Sequence, residues 1–205
     1  MGRFIGPKGK IARNLNTNVD ETPKMEALLK KRPFPSGQHG AASVRRKISD
    51  FGLQLKEKQR LKLRFGLREK QLQRYYEMAS RKKGNTGILL LQTLESRLDN
   101  TLFRAGFASS RRQARQACAH GHYLLNGQRV TIPSILLREG DIITVREQSV
   151  KFVKNLVEVQ ASQALDCAWV TTDKQNLSVR FDRVPAREEM DLNTREQLII
   201  EYYSR

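Results

Sequence analysis

Apolar positions recur along this chain with two different periods, and the change falls just past its middle. Residues 54–83 read as two helices. Gly66, in RFGLREK, stands where a helix C-terminus favours a left-handed residue. In the second helix Leu72, Tyr75, Tyr76 and Ala79 fall at i, i+3, i+4 and i+7, one buried stripe, with Arg68, Lys70, Arg74 and Arg81 largely away from it. Gly84 and Gly87 bracket a break. ILLLQTLESRLDNTLFRA, residues 88–105, predicts a third helix, with Leu91, Leu94, Leu98 and Leu102 on one side and Gly106 as its end. A fourth starts at Ser110, a good N-cap with Gln113 three residues on to complete a capping box; it runs to about His120, with Gly121 at C′. From there the period drops to two. YLLNGQRVT carries the Asn-Gly turn of a tight hairpin. Ile135–Arg146 reads as strand, turn, strand, Ala168–Val184 as another hairpin, and Arg195–Tyr203 as a closing helix with Leu198, Ile199 and Tyr202 facing inward.

The first 47 residues show neither period. A short helix over Lys24–Lys31 precedes the PFPSGQHG turn, and large apolar residues are scarce, so this part reads as an extended arm with little to bury. The pattern as a whole is α+β.

Charge sharpens that division. The 205 residues carry a formal net charge of +17. Residues 1–83 hold 22 Lys and Arg against 7 Asp and Glu, residues 84–157 hold 10 against 5, and residues 158–205 hold 6 against 9. A polyanion is therefore expected to meet the N-terminal and middle parts, and nucleic acid is the first candidate. No stretch of 18 apolar residues occurs, so no membrane span is expected. MGRFIGPKGK lacks the apolar stretch of a secretory signal, and Gly6 stands where N-myristoylation needs Ser or Thr. The two cysteines, Cys118 and Cys167, form no C-x-x-C pair, which fits free thiols in a reducing, cytosol-like compartment.

Candidate chemistry concentrates in SSRRQARQACAHGHYLLNG, residues 109–127. Cys118, His120 and His122 suggest a metal, but Gly121 breaks the helix between them, His39 is the only other histidine and Cys167 stands alone, so no metal is expected. A catalytic Cys/His pair lacks a third group to orient its base. GPKGK is no phosphate-binding loop, because Phe4 and Ile11 replace the first glycine and the Ser/Thr. The arginines remain. Arg111, Arg115 and Arg112 fall at about 0°, 40° and 100° around a helix, one basic sector, while Ala114, Ala117 and Cys118 form a second, small-residue sector. No acid occurs between Asp99 and Glu139, so the sector reads as a set of bidentate phosphate donors.

LESRLDNTLFRAGFASSRRQARQ, HGHYLLNG, VTIPS and REGDIITVRE together closely resemble the S-four RNA-binding module. PSGQHG, FGLQLKEKQ, FGLREKQLQRYY, the terminal LIIEYYSR and the opening IGPK extend the likeness over nearly the whole chain to the bacterial-type small-subunit ribosomal protein four family. That resemblance implies a basic N-terminal arm (1–43), a discontinuous helical domain (44–83 plus 185–205) and an inserted domain (84–184). The insert carries the module at about 95–157, two helices packed on a small, twisted antiparallel sheet. It implies a structural ribosomal protein rather than an enzyme, with no cofactor and no stable homo-oligomer. Such a protein binds small-subunit ribosomal RNA early, at a helix junction of the 5′ domain, and nucleates assembly of the subunit body. It touches small-subunit protein five at an interface tied to decoding accuracy, lies near the mRNA entry channel and resides on cytoplasmic ribosomes. Relatives that bind zinc place C-x-x-C where Gly9 and Ala12 stand here, so the chain resembles the zinc-free form. Ser36 replaces the second proline of the family's P-P-G-Q-H-G turn.

Expected RNA contacts are, in the arm, Arg3, Lys8, Lys10, Arg13, Lys30, Lys31, Arg32, Gln38 and His39. In the helical domain they are Arg45, Arg46, Lys47, Gln54, Lys56, Lys58, Gln59, Arg68 and Lys70. In the module they are Arg97, Arg104, Ser110, Arg111, Arg112, Arg115, His120, His122 and Asn126. The same module also tethers RNA in modifying enzymes and synthetases, but those need a separate catalytic domain, for which this chain has no room. A free RNA chaperone or stress-response binder is the alternative.

Overall fold

A computed structural model describes residues 6–43, 47–160, 167–190 and 193–205. Among them, helices α1 (Lys8–Leu15), α2 (Pro23–Lys31), α3 (Gly40–Ser43), α4 (Asp50–Arg64), α5 (Glu69–Ser80), α6 (Thr86–Glu95), α7 (Leu98–Arg104) and α8 (Arg111–Ala119) lead to strands β1 (Tyr123–Leu125), β2 (Gln128–Val130) and β3 (Ile142–Val145). Helix α9 (Val150–Gln160), strands β4 (Val170–Asp173) and β5 (Ser178–Phe181) and helix α10 (Glu196–Tyr203) complete the α+β chain. The described residues fall into two compact units, one within 1–87 and 192–205, the other within 88–191.

The first unit is helical. Ser49 caps α4, its hydroxyl accepting from the Gly52 N–H, and Gly66 follows the α4 C-terminus at φ +61°. Leu61, Phe65, Leu67, Leu72 and Ala79 are buried, and α10 packs along α4 with Ile199 inward. The stretch expected as an extended arm carries three helices. Ala12 and Leu15 are buried, the Arg60 guanidinium donates to the Leu15 carbonyl at 3.0 and 2.8 Å, and Arg64 pairs with Glu21. A cation on the carbonyl end of α1 is the arrangement the helix dipole favours. In the following turn an added Cβ at Gly40 would lie 2.0 Å from the Pro35 carbonyl oxygen, so only glycine fits there.

The second unit backs helices onto a five-stranded antiparallel sheet of order β2-β1-β3-β5-β4. Asn126 (φ +49°) and Gly127 (φ +80°) make the β1–β2 turn, the left-handed pair that a two-residue hairpin requires. Leu98, Leu102, Phe107, Ala114, Cys118, Tyr123, Ile143, Val153, Val179 and Phe181 form one core. Each large apolar side chain there contributes about 1.5–3 kcal/mol through burial.

Three elements differ from the periodicity. The single helix expected over 88–105 is two, because Arg97 is extended (φ −73°, ψ 140°) between α6 and α7. Residues 133–137 supply the bonds instead: Leu98 N–H donates to the Ile135 carbonyl (2.9 Å), Asp99 N–H to Pro133 (3.1 Å), and Leu137 N–H to Ser96 (2.8 Å). Leu91, Leu94, Leu98 and Leu102 all stay buried, so a stripe of leucines gives no sign of the break. For the same reason Ile135–Leu137 is not a full strand; it spends its backbone on this junction, with one bridge between Leu136 and Arg97. Helix α9 was not expected. It follows directly on a 3₁₀ turn, Glu147–Ser149, and buries only Val153 and Val157 of its described side chains, too few to stand out as a period.

Candidate nucleic-acid interface

Helix α8 starts as expected and then divides its arginines. The Ser110 hydroxyl accepts from the Gln113 N–H at 3.3 Å, while the Gln113 side chain reaches one residue further back, to the Ser109 N–H at 2.7 Å. Ala114, Ala117 and Cys118 are buried on one face. Burial, helped by the charge of Asp99, pushes the Cys118 thiol pKa far up, so it behaves as a small hydrophobe rather than a thiolate. Arg112 and Arg115 are half-buried at the surface. Arg111 turns inward: it is 9% exposed, its Nε donates to Asn100 Oδ1 at 2.7 Å, and its guanidinium lies 4.5 Å from the Phe103 ring centroid.

Beneath it lies a polar network. Glu95 accepts from both Arg104 (Nε 3.1 Å, terminal N 2.9 Å) and Asn100 Nδ2 (2.6 Å). Arg97 binds Asp99 with two bonds, 3.0 and 2.7 Å. Arg97 and Arg104, expected as RNA contacts, are buried here, and their planar donor forks are matched to these carboxylates. They shape the surface from below.

At the end of α8, His120 is exposed and His122 half-buried, its Nδ1 2.8 Å from the Ser149 hydroxyl. Burial, then His120 and Arg146, lower the His122 pKa below its ordinary 6.5. Gly121 (φ +73°) lets the Arg129 guanidinium sit where a side chain would be. The Asn126 amide closes its turn, donating to Asp141 and accepting from the Ile142 N–H, both at 2.9 Å. Sequence reasoning did not single out Arg129, Arg146 or Phe152. The β1–β2 hairpin brings Arg129 to the histidines, the β1–β3 pairing brings Arg146, and α9 carries Phe152, so no local period could have grouped them.

In the helical unit, Lys10, Lys31, Arg32, Gln38, His39, Lys47, Arg68 and Lys70 are exposed, and Lys56 and Gln59 half-buried. Lys8 pairs with Asp20 and Lys30 with Glu26. Arg13 is spent on the PFPSGQHG turn, donating to the Phe34 and Pro35 carbonyls at 2.9 and 3.1 Å. Gln54 and Lys58 are buried, Gln54 on Glu201 (2.9 Å) and Lys58 on Glu69 (2.7 Å) and the Tyr202 ring (4.1 Å). Arg3, Arg45 and Arg46 lie outside the described residues. Gly9 and Ala12 are occupied by packing: Ala12 is fully buried, and a Cβ at Gly9 would meet Leu28 Cδ2 at 2.9 Å. Among the described residues no group of three or more His, Cys, Asp or Glu is arranged to hold a metal.

A helix pair on an antiparallel sheet, with arginines outside and a sealed polar network within, is the frame of an RNA-binding module. Comparison with known proteins agrees. Residues 3–95 match the ribosomal protein S4/S9 N-terminal domain, and residues 96–143 the S4 domain. The chain is 46% identical over 210 residues to small ribosomal subunit protein uS4 of Roseiflexus castenholzii and 44% over 211 residues to that of Aquifex aeolicus. It is 46% identical over 208 residues to that of Sulfurihydrogenibium sp.; in all three pairs the full length of both chains is covered. The chain belongs to the uS4 family, structural RNA-binding proteins of the small ribosomal subunit.

Proposed function

We propose that this chain binds small-subunit ribosomal RNA directly, nucleates assembly of the subunit body and, with neighbouring proteins, influences translational accuracy on cytoplasmic ribosomes. Phosphate contacts are assigned to Arg112 and Arg115 in the module and to the exposed lysines and arginines of the helical unit, with Arg3, Arg45 and Arg46 added by sequence alone. The partition of arginines supports this reading: three are drawn into the interior by carboxylates, an amide or an aromatic ring, while Arg112 and Arg115 stay at the surface of the same small helix pair. Residues 158–205, where acids outnumber basic residues, suit protein neighbours better than RNA; protein five is assigned there, and mRNA passes near.

Co-sedimentation tests the reading. The protein should travel with small subunits through high-salt sucrose gradients. RNA binding without co-sedimentation would overturn it in favour of a free chaperone. Truncation before Arg195 should change decoding accuracy more than RNA affinity.

A further inference from the structure

Three rings meet where α8, β1 and α9 come together. The His122 ring centroid is 5.9 Å from that of His120 and 4.9 Å from that of Phe152, at interplanar angles of 48° and 34°. Phe152 is 44% exposed, although its helix buries Val153 beside it, so its ring does little for the core. The middle ring is held. His122 Nδ1 meets the hydroxyl of buried Ser149, and the His122 carbonyl accepts from the Arg146 N–H at 3.0 Å. The rim is basic: Arg129 donates to the His120 carbonyl at 3.5 Å, Arg146 neighbours His122, and Lys151 is exposed next to Phe152; Glu147 is the nearby acid. Burial, then His120 and Arg146, disfavour the imidazolium form of His122, so the ring offers a π-face more than a charge.

We propose that His120, His122 and Phe152 form a stacking platform for an unpaired RNA base, with Arg129 and Arg146 receiving the flanking phosphates. Fixed, part-exposed rings inside a cationic rim are the combination by which proteins hold splayed-out bases. Stacking tolerates any base, so the platform adds affinity without reading sequence. The inference rests on the RNA-binding reading above and adds a term that is not electrostatic.

The test uses the full chain and a transcript of the 5′ domain of small-subunit ribosomal RNA. Phe152→Leu should weaken binding roughly tenfold. The slope of log affinity against log salt should stay unchanged, because no phosphate contact is lost. Phe152→Trp should restore binding. Wild-type affinity in Phe152→Leu, or an equal loss in Phe152→Trp, overturns the platform. A flattened salt slope in Phe152→Leu also overturns it, since the ring would then be acting through phosphate contacts. Failure of the wild-type chain to bind the transcript overturns the RNA-binding reading itself, and the platform with it.

Discussion

Each unit hides a polar network, and the two are built on opposite terms. Around α7, both partners of each ion pair are sealed: Arg97 and Glu95 are fully buried, Arg104 and Asp99 nearly so. Between α4, α5 and α10 only one partner is. The Lys58 side chain is 4% exposed, while Glu69 is 43% exposed and also takes Lys62 (3.1 Å) and the Tyr203 hydroxyl (2.9 Å). Lys58 also rests on the Tyr202 ring, with Tyr203 stacked on Tyr76 at 4.8 Å. A sealed charge has only protein groups to answer it. A charge at an open edge has water and a second cation to fall back on. The same arithmetic decides which basic residues remain for RNA.

The largest effect should come from removing a sealed carboxylate. Glu95→Ala leaves Arg104 buried without its acid and should cost about 3–5 kcal/mol in urea unfolding. Glu69→Gln should cost less, about 1–3 kcal/mol, because Lys58 keeps the tyrosine rings. Equal costs would erase the contrast between the units.

Acid should weaken both networks. Burial alone would raise the Glu95 pKa, but the charges and hydrogen bonds of Arg104, with Arg111 and Asn100, hold it below the ordinary 4.5. Glu69 is likewise lowered: burial opposes, but bonds from Lys58, Lys62 and Tyr203 win. A carboxyl whose folded pKa is lowered gives its stability in full above pH 4.5, and that stability is lost as pH falls through the folded value. The stability gap between wild type and Glu95→Gln should therefore be constant above that pH and shrink below it.

The smallest effects on stability belong to the surface. Arg112→Gln and Arg115→Gln should each cost less stability than Arg111→Gln. Each should flatten the salt slope of RNA binding by roughly 0.7–0.9. Arg111→Gln should do the reverse: lose stability, through Asn100 and Phe103, and leave the slope as it was. Three equal slope changes would mean that Arg111 faces RNA after all.

Much of this protein is written in local pattern. The caps at Ser110 and Gly121, the Asn126-Gly127 turn, the stripe from Leu72 to Ala79 and the closing helix all follow from rules that act within a few residues, and each formed as expected. So did the small-residue face of α8. What the pattern could not show is pairing at a distance. The break at Arg97 exists because residues 133–137 arrive to take its bonds. Glu95, Asp99 and Asn100 claim Arg97, Arg104 and Arg111 because the helices bring them within 3.1 Å. A helical wheel assigns every arginine on one sector the same environment, since it knows angle but not neighbour. Charge, likewise, is a property of the residue, whereas availability for RNA depends on whether a buried acid, amide or ring lies closer than water. Composition sets how many cations this chain carries and on which segments; packing sets which of them are held inside, because it alone fixes the desolvation each must bear.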